Sequence, residues 1–136
     1  MFTSWGIRTL AEQELRYNPL AYQVGSVWPH DNSLIMAGLR RYGFNDKAIE
    51  IFSGIVEAAI RFDIYRIPEL FAGFHRSQYY APVRYPVACH PMAWAAGAIP
   101  FMMQTLLGLV PEAFEHRLRI VRPVFRTSSA LSSFAG

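Results

Sequence analysis

Ten side chains of this 136-residue chain carry carboxylates, and two of them stand apart from the rest. Glu12, Glu14, Asp46, Glu50, Glu57, Asp63, Glu112 and Glu115 read as acids of exposed faces and caps. Asp31 and Glu69 instead lie in connecting segments beside aromatic residues, Trp28 for the first and Phe71 and Phe74 for the second. Aromatic faces stack on the C–H surface of a sugar ring, and carboxylates bind hydroxyls and move protons. Hydrolysis of a glycosidic bond uses two carboxyl groups, about 5–5.5 Å apart for retention and about 6.5–9.5 Å apart for inversion. Each acid also has a plain structural reading. Asp31 suits a helix N-cap or first turn, and Glu69 suits a loop, although Pro68-Glu69 among apolar neighbours is a costly place for an idle charge.

Other chemistries have weaker footing. His30, His75, His90 and Asp31 follow no zinc spacing, so neither a metal nor a cofactor is expected. Cys89 beside His90 suggests a thiol nucleophile, but neighbours along a chain seldom face each other, and a buried cysteine is the expectation. Arg40-Arg41 and the set Arg117, Arg119 and Arg122 read as solvated faces or carboxylate partners. Lys47 is the only lysine among thirteen basic residues, the formal charge is +3, and no basic run appears, so no nucleic-acid partner is expected.

The elements that must position these residues are helical. Residues 1–31 carry Gly6, Asn18-Pro19, Gly25 and Pro29 with no sustained period, and read as loop. Trp5, Tyr17, Tyr22 and Trp28 within it should lie against something. A first helix is predicted from Asn32 or Ser33 to Tyr42, capped by the Asp-Asn-Ser run and ended by Gly43. It is apolar nearly all round. A second starts at Asn45-Asp46 and reaches Phe62 to Tyr65, with Ala48, Ile51, Phe52, Ile55, Ala59 and Phe62 as its apolar stripe. Lys47, Glu50, Gly54, Glu57 and Arg61 form its solvent face. A third, from Pro91 or Met92 to Leu107, is predicted to be buried and closed by Gly108. Residues 64–90 make a long connection of the kind that carries function. Leu118 and Ile120 alternating with arginines suggest a short strand or terminal turn, and residues 124–136 a disordered tail.

Composition bounds the rest. Hydrophobic residues make up 52% and aromatics 15%, enough for one core and no more, with apolar surface left over for a partner. Residues 93–109 are almost free of charge but fall short of a span of about 20 residues and contain Pro100, Gln104 and Thr105; a buried helix is expected, and no membrane partner. A single cysteine and an N-terminus without the features of a signal peptide point to the cytoplasm.

Four ordered blocks then carry a resemblance: WGIRTL, YNPLAYQVGSVWPHDN, RIPELFAGF and YPVACHPMAWAAGA. Over residues 5–123 the chain resembles the C-terminal part of bacterial glycogen-debranching-type proteins, the amylo-alpha-1,6-glucosidase group of (α/α)6-toroid glycoside hydrolases. The resemblance implies an all-α fold, a partial (α/α)6 toroid of about three helices with long aromatic-rich loops. It implies that Trp28, His30, Asp31 and Asn32, with Tyr22, bind the sugar nearest the bond, and that Glu69 is the general base that activates water. The family's general acid, an aspartate, belongs to an earlier loop, so the missing N-terminal part of the toroid is an implied partner and both ends look cut. The sequence departs from the family's pattern at Gln23, Ala72 and His90-Pro91-Met92, which bears on substrate preference.

The expectation is therefore the C-terminal segment of a cytoplasmic glycoside hydrolase acting on an alpha-glucan or other alpha-glycoside. By itself it would be close to inactive, with the inner faces of the first and third helices uncovered. Two alternatives stand beside it: a non-catalytic helical carbohydrate-binding or interaction module, and a site in which Asp31 is the acid and Glu69 the base within this chain alone.

Overall fold

The computed structural model describes residues 1–125. Three helices form the body: α1 (Pro29–Arg41), α2 (Asn45–Ala59) and α3 (Ala93–Leu107). α1 packs against both of the others. Two short strands follow, β1 (Leu109–Glu112) and β2 (Arg117–Ile120), paired antiparallel with Leu109 opposite Ile120 and Glu112 opposite Arg117.

This sheet overturns the all-α expectation, and with it the partial toroid: the described chain is three helices plus a two-stranded antiparallel sheet. Its cause is local. Gly108 ends α3 at φ 64° and turns the chain back, and a Cβ there would stand 1.9 Å from the Val121 carbonyl oxygen. Pro111 in β1 had masked the strand, yet a proline is tolerated where both strands are edges. Glu112 locks the register by accepting from Arg119 Nε at 2.7 Å and pairing with Arg117 at 3.1 Å.

The helix ends also differ from the pattern reading. α1 begins at Pro29, three residues before Asn32, because proline at the first helical position gives up no N–H that the helix would use. α2 stops at Ala59. Phe62, 5% exposed, turns into the core against Phe71, with ring centroids 5.9 Å apart, and a chain doing so leaves the helical path. Gly54 lies on the buried side of α2, not on its solvent face: a Cβ there would meet the Trp5 carbonyl oxygen at 2.8 Å. Both helices read as buried keep large apolar side chains exposed, Leu34 and Ile35 on α1 and Trp94, Phe101 and Met103 on α3. The expected tail from residue 124 lies, for residues 126–136, outside the described residues; Val124 itself donates its N–H to the Leu106 carbonyl at 2.8 Å. No helix among the described residues is long and apolar enough to cross a membrane.

The irregular segments are laced to the helices by polar contacts. The Asn32 side chain is fully buried and spends its whole amide. Its Oδ1 accepts from the Ile7 N–H at 2.6 Å, and its Nδ2 donates to the carbonyls of Ile7 at 3.0 Å and Trp28 at 2.8 Å. Single antiparallel bridges then run from Arg8 to Val27, Val27 to Phe71, and Phe71 to Arg84. Val27 and Phe71 exchange both bonds, at 2.9 and 3.0 Å. Beside them Gly73 approaches Gly25 so closely that a Cβ would fall 1.6 Å from the Gly25 carbonyl oxygen. Trp5, 1% exposed, carries the guanidinium groups of Arg76 and Arg61 over its ring at 4.5 and 5.0 Å.

An Asn32→Ala substitution leaves the Ile7 N–H and C=O unpaired inside the protein. An unsatisfied buried backbone group costs about 1–3 kcal/mol, so the expected loss of stability in urea unfolding is about 3 kcal/mol. A loss below about 0.5 kcal/mol, the size typical of a neutral surface change, would remove Asn32 from this role. Gly73→Ala is expected to destabilise as well, by steric conflict rather than by lost hydrogen bonds.

Candidate functional site

The antiparallel bridge between Val27 and Phe71 brings the two chemically interesting stretches together. Trp28 follows Val27 and is the N-cap of α1, while Glu69 lies two residues before Phe71 on the facing segment. Leu70 and Phe71 are fully buried, which anchors the backbone that carries Glu69.

Glu69 is 5% exposed, and both of its oxygens are held. Oε1 accepts from the Tyr22 hydroxyl at 2.7 Å, and Oε2 accepts from the Cys89 N–H at 3.1 Å. The Glu69 N–H donates in turn to the Cys89 carbonyl at 3.0 Å. The Tyr22 hydrogen bond is the main reason the Glu69 carboxyl sits below its usual value of 4.5; burial opposes this, and the Cys89 bond adds to it. The same hydrogen bond, with burial and the Glu69 charge, pushes the Tyr22 phenol up to about 12. Glu69 is therefore a carboxylate at neutral pH. Each oxygen retains a further lone pair for a water or a ligand hydroxyl.

Tyr22 links this carboxylate to an aromatic pocket. Its ring meets Trp28 edge-on at 4.9 Å and tilts against Tyr85 at 5.8 Å. The Trp28 indole N–H donates to Ser26 Oγ at 2.9 Å and to the Tyr22 carbonyl at 3.1 Å, which fixes the ring in place. A pocket of about 560 Å³ opens here, lined by Thr9, Gln23, Trp28, His30, Asp31 and Trp94. His30 stacks on Trp94 with ring centroids 5.1 Å apart and planes 12° from parallel. Two indole rings, an imidazole, a carboxylate and a carboxamide thus line one cavity.

The residues singled out from sequence separate into three groups. Tyr22 and Glu69 are joined directly, and Trp28, His30 and Asp31 share the pocket. Asp31 stands exposed on the first turn of α1, and Glu69 is not among the walls of the pocket that holds it, so a catalytic pair made of these two is not supported. Asn32 leaves the site altogether, because its amide is consumed by Ile7 and Trp28 in the core. Cys89 is exposed rather than buried, and its backbone, not its thiol, meets Glu69. Trp94, Gln23 and Tyr85 were missed. Trp94 sits in an apolar helix where an aromatic reads as core, and its position beside His30 is set by the packing of α1 on α3.

The histidines are scattered: His30 lies on Trp94, His75 against Ser77 and His90 against the Arg66 carbonyl. Among the described residues no group of three His, Cys, Asp or Glu side chains gathers to hold a metal ion. The sequence matches no protein-family model and no curated protein.

The Tyr22–Glu69 bond gives stability a two-sided pH dependence. Glu69 is lowered on folding, so its contribution is present above its unfolded value of 4.5 and is lost as pH falls through the lower folded value. Tyr22 is raised, so its contribution is present below 10 and is lost as pH rises from 10 toward about 12. Denaturation midpoints measured across pH should plateau between these limits, and Tyr22→Phe should flatten both arms. Identical profiles for the two proteins would show that the bond contributes nothing in solution.

Proposed function

We propose that this chain supplies the sugar-binding wall and the general base of a glycoside hydrolase that cleaves alpha-glucosidic bonds, of the amylo-alpha-1,6-glucosidase type. The carrying observation is the buried Glu69 carboxylate, kept ionised by the Tyr22 hydroxyl, whose ring in turn packs on the Trp28 wall of the pocket. In the reaction water attacks the anomeric carbon as Glu69 takes its proton, and the bond to the leaving oxygen breaks as that oxygen gains a proton from a second carboxylic acid. We assign this acid to a partner segment outside the 136 residues. The substrate is an alpha-glucan or related alpha-glycoside, seated against Trp28, His30, Asp31 and Trp94, and the compartment is the cytoplasm.

One observation favours a second reading, a non-catalytic carbohydrate-binding module. Both Glu69 oxygens already hold protein donors, and Oε2 together with the Glu69 N–H clamps Cys89. In that case Glu69 orders the loop that carries Tyr85 and shapes the pocket without reacting.

Glu69→Gln, made in the protein together with its acid-bearing segment, separates the two. As base, Glu69 should account for about 10²- to 10⁴-fold of the hydrolysis rate, while sugar-induced quenching of tryptophan fluorescence persists. Binding without hydrolysis in the unsubstituted protein selects the module. Neither binding nor hydrolysis of alpha-1,4- and alpha-1,6-linked glucosides rejects both readings.

A further inference from the structure

The far end of the helical body holds a cavity of a different character. It has a volume of about 680 Å³ and lies where the last turn of α1 meets the end of α3 and the segment after β2. Arg40, Arg41 and Arg122 line it, with Asn45 and Thr105 as neutral polar groups and Val110 and Val121 among its apolar walls. No carboxylate is among the lining residues.

Five arginines and the one lysine elsewhere do meet an acid, while Arg16, Arg61 and Arg66, like the three arginines of this cavity, form no ion pair among the described residues. Arg8 pairs with Glu12, Lys47 with Glu50, Arg76 with Glu57, Arg84 with Asp63, and Arg117 and Arg119 with Glu112. Arg40, Arg41 and Arg122 make no ion pair among the described residues, and residues 126–136 contain no Asp or Glu side chain to supply one. Arg40 gives hydrogen bonds only to neutral oxygens, Asn45 Oδ1 at 3.3 Å and the Arg122 carbonyl, while its Nε is buried without a partner. Arg122 itself is held at φ 48°, a left-handed conformation uncommon for a side-chain-bearing residue, fixed by the Val121 and Val124 backbone bonds on either side.

The helix ends do not balance this charge. The C-termini of α1 and α3 each carry about −0.5 of an elementary charge, against three guanidinium groups. Arginine clusters with spare donors bind phosphate oxygens through paired, charge-assisted bonds. We propose that this cavity is a binding site for a phosphate group, held by Arg41 and Arg122 and oriented by Arg40. Its volume and its valine walls leave room for a small organic residue on that phosphate, so a phosphate monoester is the ligand class it fits. The site lies apart from the aromatic pocket and does not depend on the proposed glycosidase chemistry.

The test is a titration with inorganic phosphate and, in parallel, glycerol 3-phosphate at constant ionic strength, followed by the phosphorus NMR resonance, with near-UV circular dichroism to verify the fold of each variant. Saturable binding is expected, weakened about tenfold in Arg41→Gln and again in Arg122→Gln, the loss of roughly one charged hydrogen bond each. Lys47→Gln, which removes an exposed cation elsewhere, should bind as the unsubstituted protein does. Tighter binding of the monoester assigns the site to a phosphorylated organic ligand, and binding of inorganic phosphate alone assigns it to the free anion. Non-saturable broadening, or equal binding by folded Arg41→Gln and Arg122→Gln variants, overturns the proposal.

Discussion

The buried carboxamide of Asn32 is the contact on which the rest of this fold rests. It reads a loop from inside a helix: its three hydrogen bonds tie Ile7 in the N-terminal segment to the first turn of α1. Backbone polar groups of an irregular segment must find partners when they are buried. Without Asn32 the Ile7 peptide would lose both of its hydrogen-bond partners, and residues 1–9 would be held by their remaining contacts, such as those through Trp5 and Arg8. With them in place Trp5 is buried and Gly54 is pressed against its carbonyl, which fixes α2.

The next layer of order is the row of single bridges through Arg8, Val27, Phe71 and Arg84. Four segments distant in sequence are held side by side by few hydrogen bonds, a lattice that works because Val27, Leu70 and Phe71 are wholly buried and exclude water from those bonds. The close approach of Gly73 to Gly25 belongs to the same design. Its outcome is that the strand bearing Glu69 and the entrance of α1 bearing Trp28 become neighbours, with Tyr22 between them.

Charge is then distributed unevenly over the surface. At the aromatic end a carboxylate is kept ionised by a neutral phenol donor, without a basic residue among its direct partners. At the opposite end of α1, arginines gather with no acid among them. α1 thus runs from a polar-aromatic pocket at its N-terminus to a basic cavity at its C-terminus, the direction in which its own dipole favours acid first and base last.

Several parts of this were legible in the sequence. The three helices were visible because apolar spacing and the glycines at 43 and 108 are local signals, and local physics decides them. The singling out of Glu69 and Asp31 from the other acids rested on their neighbours in the chain, and Trp28 and Tyr22 were visible as aromatics that loops do not leave in water. What the sequence could not decide was anything requiring two distant segments at once. Asn32 read as a cap or a sugar contact, since only the approach of Ile7 makes it a core clamp. Trp94 read as core, since only the packing of α1 on α3 places it over His30. Gly54 read as a solvent position until Trp5 came to lie on it. The alternation at Leu118 and Ile120 was legible as a short strand or turn, but its partner β1 was hidden because Pro111 is a poor strand residue by itself, and the pairing is a property of the turn at His116, not of either strand. Local preference sets which elements form; burial of distant groups against one another decides which residues meet, and the tertiary structure alone carries that second kind of information.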